Sequence, residues 1–287
     1  MTQRLGVLVL GMHRSGTSAV TRAVNLLGVP TCVPSDLTPA GLGNQRGHWE
    51  SRSLVQFNNA LLNALGRSSW CPPPLDAWAG GPHLPDLPPE RARRLLERLH
   101  PTPQWVWKDP RTSLTLPFWL AALHDLPLAL VLCVRDPLEV AASLRRRDGT
   151  PWKVALCMWE RYLRHALAAA AGRPVLVTRY ETLLADPVKW ARTAEGFLAP
   201  LGARITWRPE LPEELRAFVD PALHHETTPP DEAPPTPGQR ALYAALLRHE
   251  GPTERFRPPE LPPEAPGTEG TLCRHAARPR RRTGGRR

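Results

Sequence analysis

The residues from Gly11 to Ser18 read Gly-Met-His-Arg-Ser-Gly-Thr-Ser. They have the types and spacing that cradle a phosphate: GxxxxG, then two hydroxyl residues, between an apolar run and a helical pattern. Glycines let the backbone curl until several N–H groups point inward, and the following helix N-terminus adds partial positive charge. Arg14, Ser15, Gly16, Thr17 and Ser18 would form the anion-binding set. The position that carries lysine in nucleotide-hydrolysing loops holds Thr17, and the cation is Arg14 instead. Such a loop can hold diphosphate-like charge, but γ-phosphate transfer loses its usual lysine. The plainer alternative is a tight strand–helix turn with no ligand.

Three further groups could do chemistry. Arg135 follows a second apolar run, and Ser143 stands eight residues later, about two helical turns on. A guanidinium fork and a hydroxyl together can clamp a phosphate; the alternative is an Arg–Asp surface pair and a solvent-facing serine. Lys108-Asp109-Pro110-Arg111 puts two cations and an acid at a strand end, or else forms a salt-bridged loop. Gly47-His48-Trp49-Glu50 offers two bases before a helix. Glu50 is the preferred base, because a carboxylate desolvated beside Trp49 would have a raised pKa. Alternatively it only favours the helix N-terminus.

Arg14-Ser15-Gly16-Thr17-Ser18 resembles the 5′-phosphosulfate loop of the sulfotransferases that use 3′-phosphoadenosine 5′-phosphosulfate (PAPS), with arginine where cytosolic eukaryotic members have lysine. Arg135 with Ser143 is similar to that family's 3′-phosphate site. Tyr180-Glu181-Thr182-Leu183 with Asp186-Pro187 resembles a later family stretch whose tyrosine lies near the adenine; packing is the other role for Tyr180. Lys108-Asp109-Pro110-Arg111 resembles a segment of many bacterial sulfotransferase-like proteins. The likeness runs over residues 4–200 in motif order. The late Arg-Lys-Gly loop of cytosolic members has no counterpart after residue 200. The resemblance implies a P-loop NTPase-like sulfotransferase fold and PAPS as donor, with no metal. It also implies in-line sulfuryl transfer to a hydroxyl or amine of a small-molecule or glycan acceptor. Arg14 would stabilise the leaving group, Lys108 would face the sulfonate, and Glu50 or His48 would take the acceptor proton.

These residues need rigid elements behind them. Leu5–Leu10 and Leu128–Val134 read as strands buried on both faces. Gln104–Trp107 and Pro174–Thr178 read as shorter strands. Helical patterns run over Thr17–Leu27, Ser51–Leu65, Glu90–Leu99, Val154–Ala171 and Val188–Leu198, and a further helix opens at Asp136-Pro137-Leu138-Glu139. The alternation predicts an α/β three-layer sandwich with a mainly parallel central sheet, whose ligands bind at the carboxyl ends of the strands. Pro-rich stretches at 72–89 and 229–266 read as loops, the second interrupted by a helical Gln239–His249. Residues 1–250 are therefore expected to form one domain. Residues 251–287, a Pro/Arg-rich tail without apolar periodicity, are expected to be disordered.

The chain has 287 residues and a formal net charge of +10, seven units of which come from arginines between Thr271 and Arg287. The body is thus only mildly basic, and nucleic-acid binding is expected, if anywhere, through the tail. No apolar run is long enough to span a bilayer. Five scattered cysteines without a CxxC pair argue against a disulfide framework or zinc site and suit a reducing cytoplasm. Two other functions compete with sulfuryl transfer. One is a P-loop kinase or NTPase with an altered loop. The other is a non-catalytic nucleotide- or nucleic-acid-binding protein.

Overall fold

A computed structural model describes residues 4–41, 46–219 and 234–277 of the chain. Its centre is a five-stranded sheet in the order β2-β1-β3-β4-β5. β1 (Leu5–Leu10), β2 (Gln104–Lys108), β3 (Leu128–Val134) and β4 (Val175–Arg179) are parallel. β5 (Gly251–Thr253) closes one edge antiparallel to β4. β1 lies between β2 and β3, with Leu8 opposite both Trp107 and Leu130.

The all-apolar β1 is explained by two cores. Leu8 and Leu10 point into one, and Leu5, Val7 and Val9 into the other. The first core is covered by α2 (Arg52–Ala64), α3 (Pro89–Leu99), α4 (Thr112–Ala122), α5 (Pro137–Asp148) and α6 (Trp152–Ala169). The second is covered by α1 (Thr17–Leu26) and α8 (Pro187–Leu198), with α7 (Tyr180–Ala185) between β4 and α8 and α9 (Leu211–Phe218) alongside. This is the expected three-layer sandwich. Asp136 caps α5 as its sequence predicts, accepting from the N–H groups of Leu138 and Glu139 at 2.8 and 3.3 Å. Among the described residues no helix is long and apolar enough to cross a membrane.

Five elements were not expected: α4, α7, α9, β5 and α11 (Thr268–Ala276). α4 contains Pro117, a residue that normally ends a helix. Leu114, Leu116, Phe118 and Trp119 on it are all buried, so packing on several sides outweighs the lost hydrogen bond. The C-terminal boundary also moves. Residue 250 does not end the fold, because β5 pairs with β4, Phe256 is buried and its backbone bonds Arg173 and Gly172 at 2.9 and 2.8 Å. α10 (Pro237–Arg248) precedes β5, and α11 follows with Leu272 fully buried. This segment has no amphipathic pattern of its own. A few apolar side chains inserted into an existing core offset its ordering entropy. The arginines from 278 onward lie outside the described residues.

His100, at the end of α3, is buried and stacks on Trp105 with ring centroids 5.0 Å apart. Burial pulls its pKa from 6.5 down to about 4. The unfolded chain therefore takes up a proton between those values that the fold refuses. The stabilisation is whole above pH 6.5 and falls by roughly 3 kcal/mol as the pH drops toward 4. Urea unfolding of wild type and His100→Phe at pH 7 and pH 4.5 should show a pH-dependent loss about 2 kcal/mol smaller in the variant. Equal losses would assign the acid sensitivity elsewhere.

Candidate functional site

The strand ends β1, β2 and β3 deliver their following loops to one cavity of about 520 Å³. Its wall includes Arg14, Gly16, Thr17, Ser18, His48, Glu50, Lys108, Arg135 and Tyr180. Nine of the residues singled out from the sequence thus meet in one place. Ser15 and Ser143 do not line it; Ser15 is buried in the loop, and Ser143 accepts from the Arg14 side chain.

The loop from Gly11 to Ser18 is held from below. Ser113, at the start of α4, accepts the Gly11 N–H at 2.9 Å and donates back to the Gly11 carbonyl at 3.3 Å. Arg14 adopts a left-handed backbone (φ +70°), a cost that non-glycine residues carry mainly at functional sites. Its Nε donates to Ser143 Oγ at 2.8 Å. Burial and the nearby Arg147 and Arg135 lower its pKa, so several cations are held together in one place. Ser15 Oγ is buried and, among the described residues, has no hydrogen-bond partner. α1 starts at Thr17 after Gly16, with no side-chain hydrogen bond capping its first N–H groups. An orphaned hydroxyl, uncapped amides and adjacent arginines form a donor set suited to phosphate oxygens.

Arg135 and Ser143, expected to share a phosphate, each have a different protein partner. Arg135 pairs with Glu139 at 2.8 Å and donates to the Arg14 carbonyl at 3.0 Å. Ser143 serves Arg14 instead. The helical register explains this: Glu139 is one turn after Arg135 and faces it, whereas Ser143 is two turns on and faces the loop. The Arg135 guanidinium lies 5.0 Å from the centre of the Tyr180 ring. That ring covers Gly16 so closely that a Cβ there would stand 2.1 Å from Tyr180 Cδ2. Tyr180 thus joins the loop to Arg135.

The expectation of a raised Glu50 pKa is reversed. Burial pushes this carboxyl up, but Lys108, 2.5 Å away, with Arg111 and His48, holds it below its usual value. Trp49 is turned elsewhere, against Phe218 and beneath the Arg22 guanidinium. His48, whose carbonyl accepts from Ser18 Oγ at 3.1 Å, has its pKa lowered by burial, outweighing Glu50. Its imidazole is therefore neutral at neutral pH.

The sequence reading left Arg46, Arg147 and His13 without roles, and all three line the cavity. His13 is held well below its usual pKa by burial and by Arg111, Arg147, Lys108 and Arg14. Arg147 belongs to the run Arg145–Arg147 in the last turn of α5. Arg111 is aimed by Asp109 at 2.8 Å. Asp109 in turn accepts from Asn58 at 2.8 Å, and Asn58 also accepts from Thr115 and Trp119 at 2.7 and 2.8 Å. Asn58 is fully buried on α2, so this network fixes α2, the loop after β2 and α4 together.

No protein-family model matches the chain, and no curated protein matches it. Solved structures do show similarity. The sulfotransferase domain from the curacin biosynthetic pathway aligns with 87% of this chain and 100% of its own length, at 18% identity and a TM-score of 0.48. The sulfotransferase domain from the Synechococcus PCC 7002 olefin synthase aligns with 96% of this chain and 95% of its own, at 19% identity and a TM-score of 0.45.

Proposed function

We propose that this chain is a sulfotransferase that moves a sulfuryl group from PAPS to a hydroxyl or amine of a small-molecule or glycan acceptor. The observation that carries the reading is the loop Arg14–Ser18, with the orphaned Ser15 hydroxyl and uncapped α1, opening into a cavity that Lys108 and Arg135 also line. When bound, PAPS supplies the sulfuryl group and the bisphosphate leaving group. The loop amides, Ser15, Thr17 and Ser18 would hold the 5′-phosphate. Arg135 and Tyr180 would hold the 3′-phosphate and adenosine, with Ser143 positioning Arg14. Arg14 and Lys108 supply positive charge where negative charge develops on transfer. His48, neutral and in the cavity wall, is the better base, because Glu50 is committed to Lys108. Glu50 then acts as a positioning residue for the lysine.

Calorimetric titration with 3′-phosphoadenosine 5′-phosphate, ATP and GTP, with and without magnesium, tests the reading. The expected result is micromolar, magnesium-independent binding of the bisphosphate, weakened about tenfold or more in Arg135→Ala. Binding of ATP or GTP only, and only with magnesium, would replace it with a kinase. No nucleotide binding at all would leave a non-enzymatic role.

A further inference from the structure

Cys71 and Cys273 are 202 residues apart, yet their sulphurs and a Glu269 carboxylate oxygen all lie within 4.8 Å of one another. Cys71 is buried in the turn after α2, and Cys273 is half-buried on α11. Nothing in the mechanism uses them. We propose that Cys71 and Cys273 are a reversible disulfide site, oxidised by low-molecular-weight disulfides, that fastens α11 to the wall of the cavity.

The surroundings favour a disulfide over a bound metal. Arg67 Nη1 donates to Cys273 Sγ at 3.2 Å and to Cys71 Sγ at 3.5 Å, and it also pairs with Glu269. A guanidinium thus already occupies the place a cation would take, and a second cation there would be repelled. Both elements are independently anchored to α6: the buried Arg161 pairs with Glu264 at 2.6 Å and Glu269 at 3.1 Å and donates to the Pro73 carbonyl at 2.8 Å. The two cysteines are therefore kept facing each other in the reduced state.

The step balances. A thiolate of one cysteine attacks the small disulfide, forming a mixed disulfide and releasing one small thiol. The second cysteine attacks the protein-bound sulphur, closing Cys71–Cys273 and releasing the other. The protein loses two electrons and two protons, and the small disulfide gains them. Burial, Cys71 and Glu269 push the Cys273 thiol up to about 12, so exchange should quicken as pH rises. The consequence reaches the cavity through Trp70, which lines it beside Ser69 and packs against His275 of α11 at 6.1 Å.

The test equilibrates the full-length chain with oxidised glutathione and maps peptides without reduction. The expected product is a single Cys71–Cys273 crosslink, reversed by reduced glutathione, with the buried Cys32, Cys133 and Cys157 left as thiols. It should be absent from Cys71→Ala and from Cys273→Ser. Oxidation should raise Tm by roughly 5 °C and slow hydrogen exchange in residues 68–73 and α11. Other pairings, or stable separate glutathione adducts, would overturn the proposal. So would unchanged exchange on crosslinking, or one zinc ion bound per chain through these cysteines. None of these readouts depends on which group the cavity transfers.

Discussion

Gly16→Ala should lower affinity for 3′-phosphoadenosine 5′-phosphate by about 100-fold or more. Two effects combine. Gly16 has φ +82°, where an L side chain costs about 1 kcal/mol. The added methyl would also sit 2.1, 2.6 and 2.8 Å from atoms of the Tyr180 ring. Either the ring or the loop must shift. A shifted ring leaves the Arg135 guanidinium it faces at 5.0 Å, and a shifted loop misdirects the α1 amides and the Ser15 hydroxyl. Gly66→Ala is the control. It has φ +66° and no atom within 4 Å of its added methyl, so it carries the backbone cost without the clash. Calorimetry on both variants, with thermal unfolding alongside, separates the terms. If Gly16→Ala binds as tightly as Gly66→Ala, the Tyr180–loop contact does not shape the nucleotide site.

Lys108→Met should remove two things at once. The lysine is 3% exposed and is paired at 2.5 Å with Glu50. Without it, Glu50 stays in a buried setting with its main compensating charge gone, and breaking such a pair costs about 3 kcal/mol or more. The carboxyl's pKa should then rise, since burial is the largest influence on it and Lys108 the chief opponent. In wild type, a depressed folded-state pKa gives stability that is present above the unfolded value of 4.5 and lost as pH falls below it. In the variant the sign reverses, and stability should improve on moving from pH 7 to pH 5. Lys108→Met/Glu50→Gln should recover much of the loss, because it removes the stranded charge as well. On the sulfuryl-transfer reading, release of the group from PAPS should fall about 100- to 1,000-fold in both variants, since neither restores the cation. Denaturant unfolding at the two pH values and donor turnover check these outcomes. A double variant as unstable as Lys108→Met would show that the lysine contributes packing and not charge compensation.

The local physics of the chain was enough for the four parallel strands, the α5 cap and the strand–loop–helix turn around Gly11–Ser18. An unbroken apolar run such as Leu5–Leu10 suits a strand covered on both faces, and Asp136-Pro137 starts a helix from its own atoms. GxxxxG between strand and helix likewise marks a tight turn locally, although Ser113 pins its first glycine from a distant helix. Partner choice was not local. Whether Ser143 meets Arg135 or Arg14, and whether Glu50 faces Trp49 or Lys108, depends on how α5, β2 and the 46–50 loop pack. Burial and nearby charge compete in setting Glu50, and their balance reversed the expected direction of its pKa. The same distance in sequence hid the C-terminal segment and the cysteine pair. A proline-rich stretch with one phenylalanine shows no periodicity, yet Phe256 finds a core built by residues far upstream. Cys71 and Cys273 become neighbours only because Arg161 draws both of their segments onto α6. Contacts of that range are fixed by packing of the whole, where burial offsets loop-closure entropy, and no window of sequence contains them.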